Sequence, residues 1–155
     1  MGHVHLQVTD LDRALAFYQR LLGFELQQRY SEQAAFLGAR GYHHHIGLNT
    51  CNSLGEAPAR TQGAAGLYHA ALLYPTRANL GRVVGRLVAA GYPLSGAADH
   101  GVSEAVYLNA PDGNGLELYW DRPRAEWPRD AAGGLTMYTR PLDLGALIAA
   151  GETPG

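Results

Sequence analysis

The sequence predicts an α+β fold, with two βαβββ modules forming a curved mixed sheet around a cleft. Three observations carry that expectation. Two short apolar stretches share one shape, Gly2-His3-Val4-His5-Leu6-Gln7-Val8 and Gly66-Leu67-Tyr68-His69-Ala70-Ala71-Leu72-Leu73. Each is followed by an apolar stripe at helical spacing. Each stripe stops at a glycine followed by an aromatic residue, Gly23-Phe24 and Gly91-Tyr92.

In the first module, residues 3–8 read as a strand. Thr9 or Asp10 can cap the helix that follows, because a short side-chain oxygen accepts from the free N–H groups of a first turn. Leu11, Ala14, Leu15, Tyr18 and Leu22 form one helical stripe, and Gly23 is placed to end it in the left-handed conformation. Phe24-Glu25-Leu26 and Ala34-Ala35-Phe36-Leu37 read as strands, and Gly38-Ala39-Arg40-Gly41 as a turn. Tyr42 to Leu48, with His43, His44 and His45 inside it, reads as the fourth strand.

Module one is expected over 1–50, a linker rich in small and polar residues over 51–66, and module two over 67–120, the whole being one domain. In module two, His69 to Leu73 is a strand, and Leu80, Val83, Val84, Leu87 and Val88 form the second helical stripe. Gly91 ends it, and Tyr92-Pro93-Leu94 is the counterpart of Phe24-Glu25-Leu26. Ala105 to Leu108 and Leu116 to Trp120 are the last strands, joined by the turn Pro111-Asp112-Gly113-Asn114-Gly115. The tail, 121–155, is rich in proline and arginine, with a weak helix from Leu142 to Ala150 and disorder expected over 151–155. Trp120 and Trp127 suggest that it packs on the body.

The chain has 155 residues, enough for one domain with a sizeable core. A formal net charge of -2 implies no nucleic-acid partner. No apolar run approaches the roughly 20 residues that span a bilayer, so no membrane partner is expected. The first residues lack the basic and apolar regions of a signal peptide, and the single cysteine, Cys51, excludes an internal disulfide. Cytoplasm is the expected location.

Counting sets the register of the two modules. From His3 to Gly23 is 20 positions and from His69 to Gly91 is 22, whereas starting at His5 gives 18. His3 and His69 are therefore equivalents, with His5 on the same strand face as the alternative. The fourth strand of module one carries His43–His45 where module two carries Glu117. His3, His69 and Glu117 could converge at strand ends. Two histidines and one carboxylate leave half of an octahedron open for substrate and a small molecule. The plainer alternative makes the histidines ordinary strand residues and Glu117 a surface acid.

A resemblance adds to this. Gly2-His3-Val4-His5-Leu6, Asp10-Leu11-Asp12-Arg13-Ala14-Leu15-Ala16-Phe17-Tyr18 and Leu22-Gly23-Phe24 resemble the opening signature of the vicinal oxygen chelate superfamily, and Pro111 to Leu118 resemble its closing signature. That superfamily holds glyoxalase I, fosfomycin-inactivating transferases, bleomycin-binding proteins and extradiol dioxygenases. Gly41 to Asn49, Asp99 to Leu108, and Glu117 to Pro123 with Trp127-Pro128-Arg129-Asp130 are similar to the catechol 2,3-dioxygenase branch. Members of that branch commonly carry four modules, and this chain has two.

The resemblance implies a metal-dependent extradiol dioxygenase that cleaves a catechol-like ring with O2. His3, His69 and Glu117 would hold Fe(II), with Mn(II), Zn(II) or Ni(II) as alternatives. His44 matches the acid–base histidine, in a triplet whose register is open by one position. His100 and Tyr107 match the residues that hydrogen-bond the substrate oxygens. Histidine titrates in the range needed to take a proton from a diol. For His44 the plainer reading is a half-exposed strand face, and for Tyr107 a core tyrosine. The implied partners are a small aromatic diol, O2 and a second copy in a homodimer, with the site built in one chain or shared between two. The competing functions are a glyoxalase-I-like lyase or isomerase, which usually wants a further carboxylate on the fourth strand of module one, and a metal-free small-molecule binding or resistance protein. A thiol transferase on an epoxide antibiotic would need a basic phosphonate pocket, which the sequence does not display.

Overall fold

A computed structural model describes residues 2–55 and 65–152 of the chain. Two compact units emerge, Met1–Tyr68 with Ala110–Asn114, and His69–Asn109 with Gly115–Gly155. Most of the expected linker, 56–64, lies outside the described residues.

Unit one contains β1 (Val4–Gln7), α1 (Leu11–Ala16), β2 (Glu25–Ser31), β3 (Ala34–Gly38) and β4 (Ile46–Asn49). The sheet order is β1-β4-β3-β2; β1 and β4 run parallel and the other pairs antiparallel. Asp10 is the helix cap, accepting from the Arg13 N–H at 2.9 Å. Leu11, Ala14 and Leu15 are buried, and the helix continues through one wider turn, Phe17–Leu21, which buries Phe17 and Tyr18. Each large apolar side chain removed from water contributes about 1.5–3 kcal/mol. Gly23 ends the helix at φ +83°, as its position predicts. Leu6, Leu37, Ile46 and Leu48 close the core on one face of the sheet. Strand alternation leaves His5 and Gln7 on the other face.

The turn Ala110–Asn114 is counted with this unit, although it lies far along the chain. Its Asp112 is 5% exposed. One carboxylate oxygen accepts from the Thr9 N–H (2.9 Å), the Thr9 hydroxyl (2.7 Å) and Arg13 Nη2 (2.8 Å). Asp112 therefore pins the start of α1.

Unit two contains β5 (Ala70–Leu73), α2 (Arg77–Ala89), β6 (Leu94–Asp99), β7 (Ser103–Asn109), β8 (Gly115–Asp121), β9 (Arg140–Pro141) and α3 (Leu144–Glu152). Its sheet order is β5-β8-β7-β6-β9, with β5 and β8 parallel. The first four positions repeat the order of unit one, so the duplication read from the sequence is present in the topology. Thr76 caps α2 by accepting from the Asn79 N–H at 3.0 Å. Leu80, Val83, Val84 and Leu87 are buried, whereas Val88 is 49% exposed and stands outside the core stripe.

Several boundaries differ from the sequence reading. The strand expected from Tyr42 begins only at Ile46, so the three histidines lie in an irregular segment before it. The strand expected to start at Phe24-Glu25-Leu26 spans Glu25–Ser31, and its counterpart after Gly91 begins only at Leu94 and runs to Asp99. The tail adds a strand to the sheet of unit two through Ala98–Pro141 and Asp99–Arg140 pairing. Gly151 and Glu152, expected to be disordered, belong to α3; residues 153–155 lie outside the described residues. Gly151 is buried because α3 crosses α2 there.

Two measurements test this packing. Asp112→Ala should lower the unfolding free energy by about 2–3 kcal/mol in urea titration, since it orphans charge-assisted donors. Glycine to alanine inside a helix ordinarily stabilises. Gly81→Ala should instead destabilise by about 1–3 kcal/mol, because a Cβ there meets the Leu147 carbonyl oxygen.

Candidate functional site

In unit two, β8 lies between β5 and β7. Register puts Glu117 beside Ala71 on one side and Tyr107 on the other. Leu116 and Leu118 are buried at 1% and 0% exposure, which leaves the Glu117 side chain on the opposite face. His69 immediately precedes β5, and its Nε2 stands 2.9 Å from Glu117 Oε2. Glu117 Oε1 stands 3.2 Å from the Tyr107 hydroxyl oxygen. That hydroxyl stands 2.8 Å from His100 Nε2. His100 Nδ1 lies 3.1 Å from the Tyr138 carbonyl oxygen and 3.3 Å from the Thr139 hydroxyl.

Proton positions follow from this chain of contacts. A carbonyl oxygen only accepts, so His100 Nδ1 carries a proton. In the neutral ring Nε2 is then bare and accepts from the Tyr107 O–H, and the 3.2 Å Tyr107–Glu117 contact then holds no proton. When the ring is doubly protonated, Nε2–H donates to Tyr107, and the phenol proton turns to Glu117. His100 and Tyr107 can thus pass a proton along a line that ends on the Glu117 carboxylate.

In unit one, His3 immediately precedes β1, and its ring centroid is 4.6 Å from that of His44. His44 also lies 5.0 Å from the Phe36 ring, and its Nδ1 is 2.7 Å from His43 Nδ1. Loss of hydration, then the neighbouring charges of His3, His43, His5 and His45, lower the His44 pKa below the ordinary histidine value. Such a ring stays neutral, and able to accept a proton, further into the acid range. His43, His44, Phe36, Gln27 and Gln28 line an open cavity of about 420 Å³. Phenylalanine and imidazole faces suit a flat ring.

Sheet register also corrects the expected counterpart of Glu117. Val4 pairs with Ile46 as Ala70 pairs with Leu116, so His3 and His69 hold equivalent places, one residue before the first strand of each unit. One step on, His5 pairs with Gly47 where Ala71 pairs with Glu117. The counterpart of Glu117 is Gly47, not the His43–His45 segment. A Cβ at Gly47 would lie 2.8 Å from His5 Nδ1, so the His5 ring occupies the space a side chain would need.

The six residues singled out from the sequence fall into two groups. His69, Glu117, Tyr107 and His100 are contiguous in unit two; His3 and His44 adjoin in unit one. Within either unit taken by itself, the described residues hold no three His, Cys, Asp or Glu side chains placed for a metal. The donor chemistry of the unit-two pair does fit one. Metal–ligand bonds of about 2.1 Å at a right angle put two donor atoms about 3 Å apart. His69 Nε2 and Glu117 Oε2, at 2.9 Å, have that separation.

Sequence reasoning missed the support around His100. Glu104 is 4% exposed, and its carboxylate meets Arg77 Nε at 2.7 Å and Arg122 Nη2 at 2.9 Å. Arg122 Nη2 also meets Asp99 Oδ2 at 3.1 Å. Trp127 in the tail, whose Nε1 donates to the Arg122 carbonyl, was the available signal.

Comparison with known proteins places the chain. The sequence model of the Glyoxalase/Bleomycin resistance protein/Dioxygenase superfamily matches residues 1–118. A catechol-2,3-dioxygenase of Bacillus subtilis (strain 168) is 40% identical over 148 residues, 96% of this chain and 50% of that protein. A biphenyl-2,3-diol 1,2-dioxygenase of Rhodococcus globerulus is 31% identical over 122 residues, 78% of this chain and 63% of that protein. The chain thus spans about half to two-thirds of the length of these relatives. Among solved structures, a glyoxalase/bleomycin resistance protein/dioxygenase domain from Frankia superimposes with a TM-score of 0.63 at 21% identity, covering 79% of this chain and 97% of that one. A glyoxalase/dioxygenase from Nostoc punctiforme gives 0.61 at 20% identity, covering 79% and 90%. The likeness to these structures is one of fold, and the family match extends along the chain from the first strand to Glu117 and Leu118; the protein belongs to the glyoxalase/bleomycin resistance/dioxygenase superfamily.

Proposed function

We propose that the chain carries the site of an extradiol-type dioxygenase, which cleaves a catechol-like ring with O2. The observation that carries this reading is the line His69–Glu117–Tyr107–His100, a donor pair of metal-binding geometry continued by two groups that can hold a diol. The relation to the Bacillus subtilis catechol-2,3-dioxygenase supports it.

His69 and Glu117 would hold a divalent metal, with His3 as the third donor and Fe(II) as the metal. Such a metal, when bound, supplies Lewis acidity and open positions for the diol and oxygen. The chain's own residues do the rest. His44 accepts a proton from the diol and returns it as the ring opens, the task for which a neutral imidazole is suited. Tyr107 and His100 orient the diol oxygens by hydrogen bonds and offset the charge that gathers on them. Phe36 and the neighbouring imidazoles offer flat faces on which the ring can stack.

A glyoxalase-type lyase wants a carboxylate at the counterpart of Glu117 on the fourth strand of module one. Gly47 stands there beneath the His5 ring, which counts against that function.

The decisive assay loads the protein with Fe(II) under anaerobic conditions, adds catechols and oxygen, and follows oxygen uptake with the appearance of a yellow ring-cleavage product. Turnover is expected with at least one catechol. Its absence, together with isomerase activity on Zn(II) or Ni(II), would overturn the reading. His69→Ala and Glu117→Ala should each release Fe(II) on gel filtration, measured as metal per chain. His44→Ala should retain the metal and lower kcat by about 10²–10⁴-fold.

A further inference from the structure

We propose that the Arg122 side chain is a positioning group for His100, holding the turn that carries the imidazole through Asp99 and Glu104 and thereby imposing its Nδ1–H tautomer. The proposal rests on the dioxygenase reading for its effect on turnover, but not for its effect on the tautomer.

His100 sits between two pieces of chain. One is the turn from Asp99 to Ser103, where the His100 N–H donates to the Ser103 carbonyl at 2.9 Å. The other is the tail around Tyr138, whose N–H donates to the His100 carbonyl at 3.3 Å and whose own carbonyl faces Nδ1. The turn joins β6 to β7, closed by the Asp99–Glu104 pair, and the tail pairs with β6 two residues beyond Tyr138.

The Arg122 side chain holds the turn, and its main chain meets the tail. Its side chain grips Asp99 and Glu104, the residues at either end of the turn, at 3.1 and 2.9 Å. The other Asp99 oxygen accepts from the Gly101 N–H at 2.8 Å, which shapes the turn itself. The Arg122 N–H donates to the Val102 carbonyl at 2.8 Å. On the tail side, the Arg122 carbonyl accepts from Trp127 Nε1 at 2.8 Å. Just beyond Trp127, Pro128 and the Tyr138 ring close over Gly101, where a Cβ would be under 3 Å from both.

The charges are balanced in the same place. Arg77 and Arg122 face Glu104 and Asp99, so the buried Glu104 carboxylate is paired on both oxygens. One guanidinium nitrogen, Nη2, meets both carboxylates while the Arg122 main chain binds two more groups; a lysine ammonium also carries several N–H donors but lacks the fixed planar geometry. The network holds the turn that carries His100 and does not touch the imidazole itself. Its loss should leave His100 present but free to turn, with Nε2 no longer held toward Tyr107.

The test compares wild type with Arg122→Gln, Arg122→Lys and Asp99→Asn, using Leu87→Ala, a core truncation ten residues beyond Arg77 on α2, as a destabilised control. Long-range proton–nitrogen NMR on the metal-free proteins reads the His100 tautomer directly. Wild type should show a single Nδ1–H form, Arg122→Gln and Asp99→Asn a mixture, and Arg122→Lys an intermediate. Steady-state kinetics on the Fe(II) protein should show kcat down at least tenfold in Arg122→Gln with KM changed less than threefold, and partial recovery in Arg122→Lys. Leu87→Ala should match wild type in both. If Arg122→Gln does not fold, Asp99→Asn carries the comparison, because it leaves both arginines on Glu104. A single unchanged tautomer in the folded variants overturns the proposal even if no catechol is turned over. A mixed tautomer in wild type overturns it as well. A changed tautomer with no turnover in any protein refutes the dioxygenase reading and leaves the positioning role standing.

Discussion

Strand register is the constraint on which the unit-two site depends. Glu117 is aimed by the pairing of β8 with β5 and β7 before any side chain touches it. A slip of one residue would drive this carboxylate into the core now filled by Leu116 and Leu118, and turn a leucine toward His69. Burying an unpaired carboxylate is costly, so the core and the site select the same register. Function and stability therefore lean on one set of main-chain hydrogen bonds.

The two units use one topology and fill it differently. Where unit two sets a large acid opposite a small residue, unit one sets a large imidazole opposite none: Glu117 faces Ala71, and His5 faces Gly47. The space in each case admits one bulky group. The pair is thus a duplicated frame whose halves have exchanged which strand carries the side chain. Only unit two keeps a carboxylate at that register position, and with it the hydrogen-bonded line to Tyr107 and His100.

Much of this was legible in the sequence, for physical reasons. The buried stripe Leu80, Val83, Val84 and Leu87, the capping residue Asp10, and the left-handed Gly23 and Gly91 all announce local structure by local rules. His3 and His69 could be matched because the repeat preserves spacing. The His43–His45 segment was misread because an apolar, aromatic-rich run suits a strand, whereas the chain pairs only from Ile46 onward. The salt-bridge group of Arg77, Asp99, Glu104 and Arg122 was invisible, since its members are far apart along the chain and each alone reads as a solvated charge. The same holds for Tyr138, whose contribution at His100 is a main-chain oxygen with no sequence signature.

Asp112 adds a condition on how the molecule comes to be. The contact that pins the first helix is 103 residues distant from it in sequence. During synthesis, β1 through β4 emerge while Thr9 and Arg13 still lack their carboxylate partner. Unit one is completed only after β7 has been made, which raises contact order and postpones the final consolidation of its amino-terminal helix. The closing loop of the second repeat thus acts as a late latch, and the maturation of one half is timed by the arrival of the other.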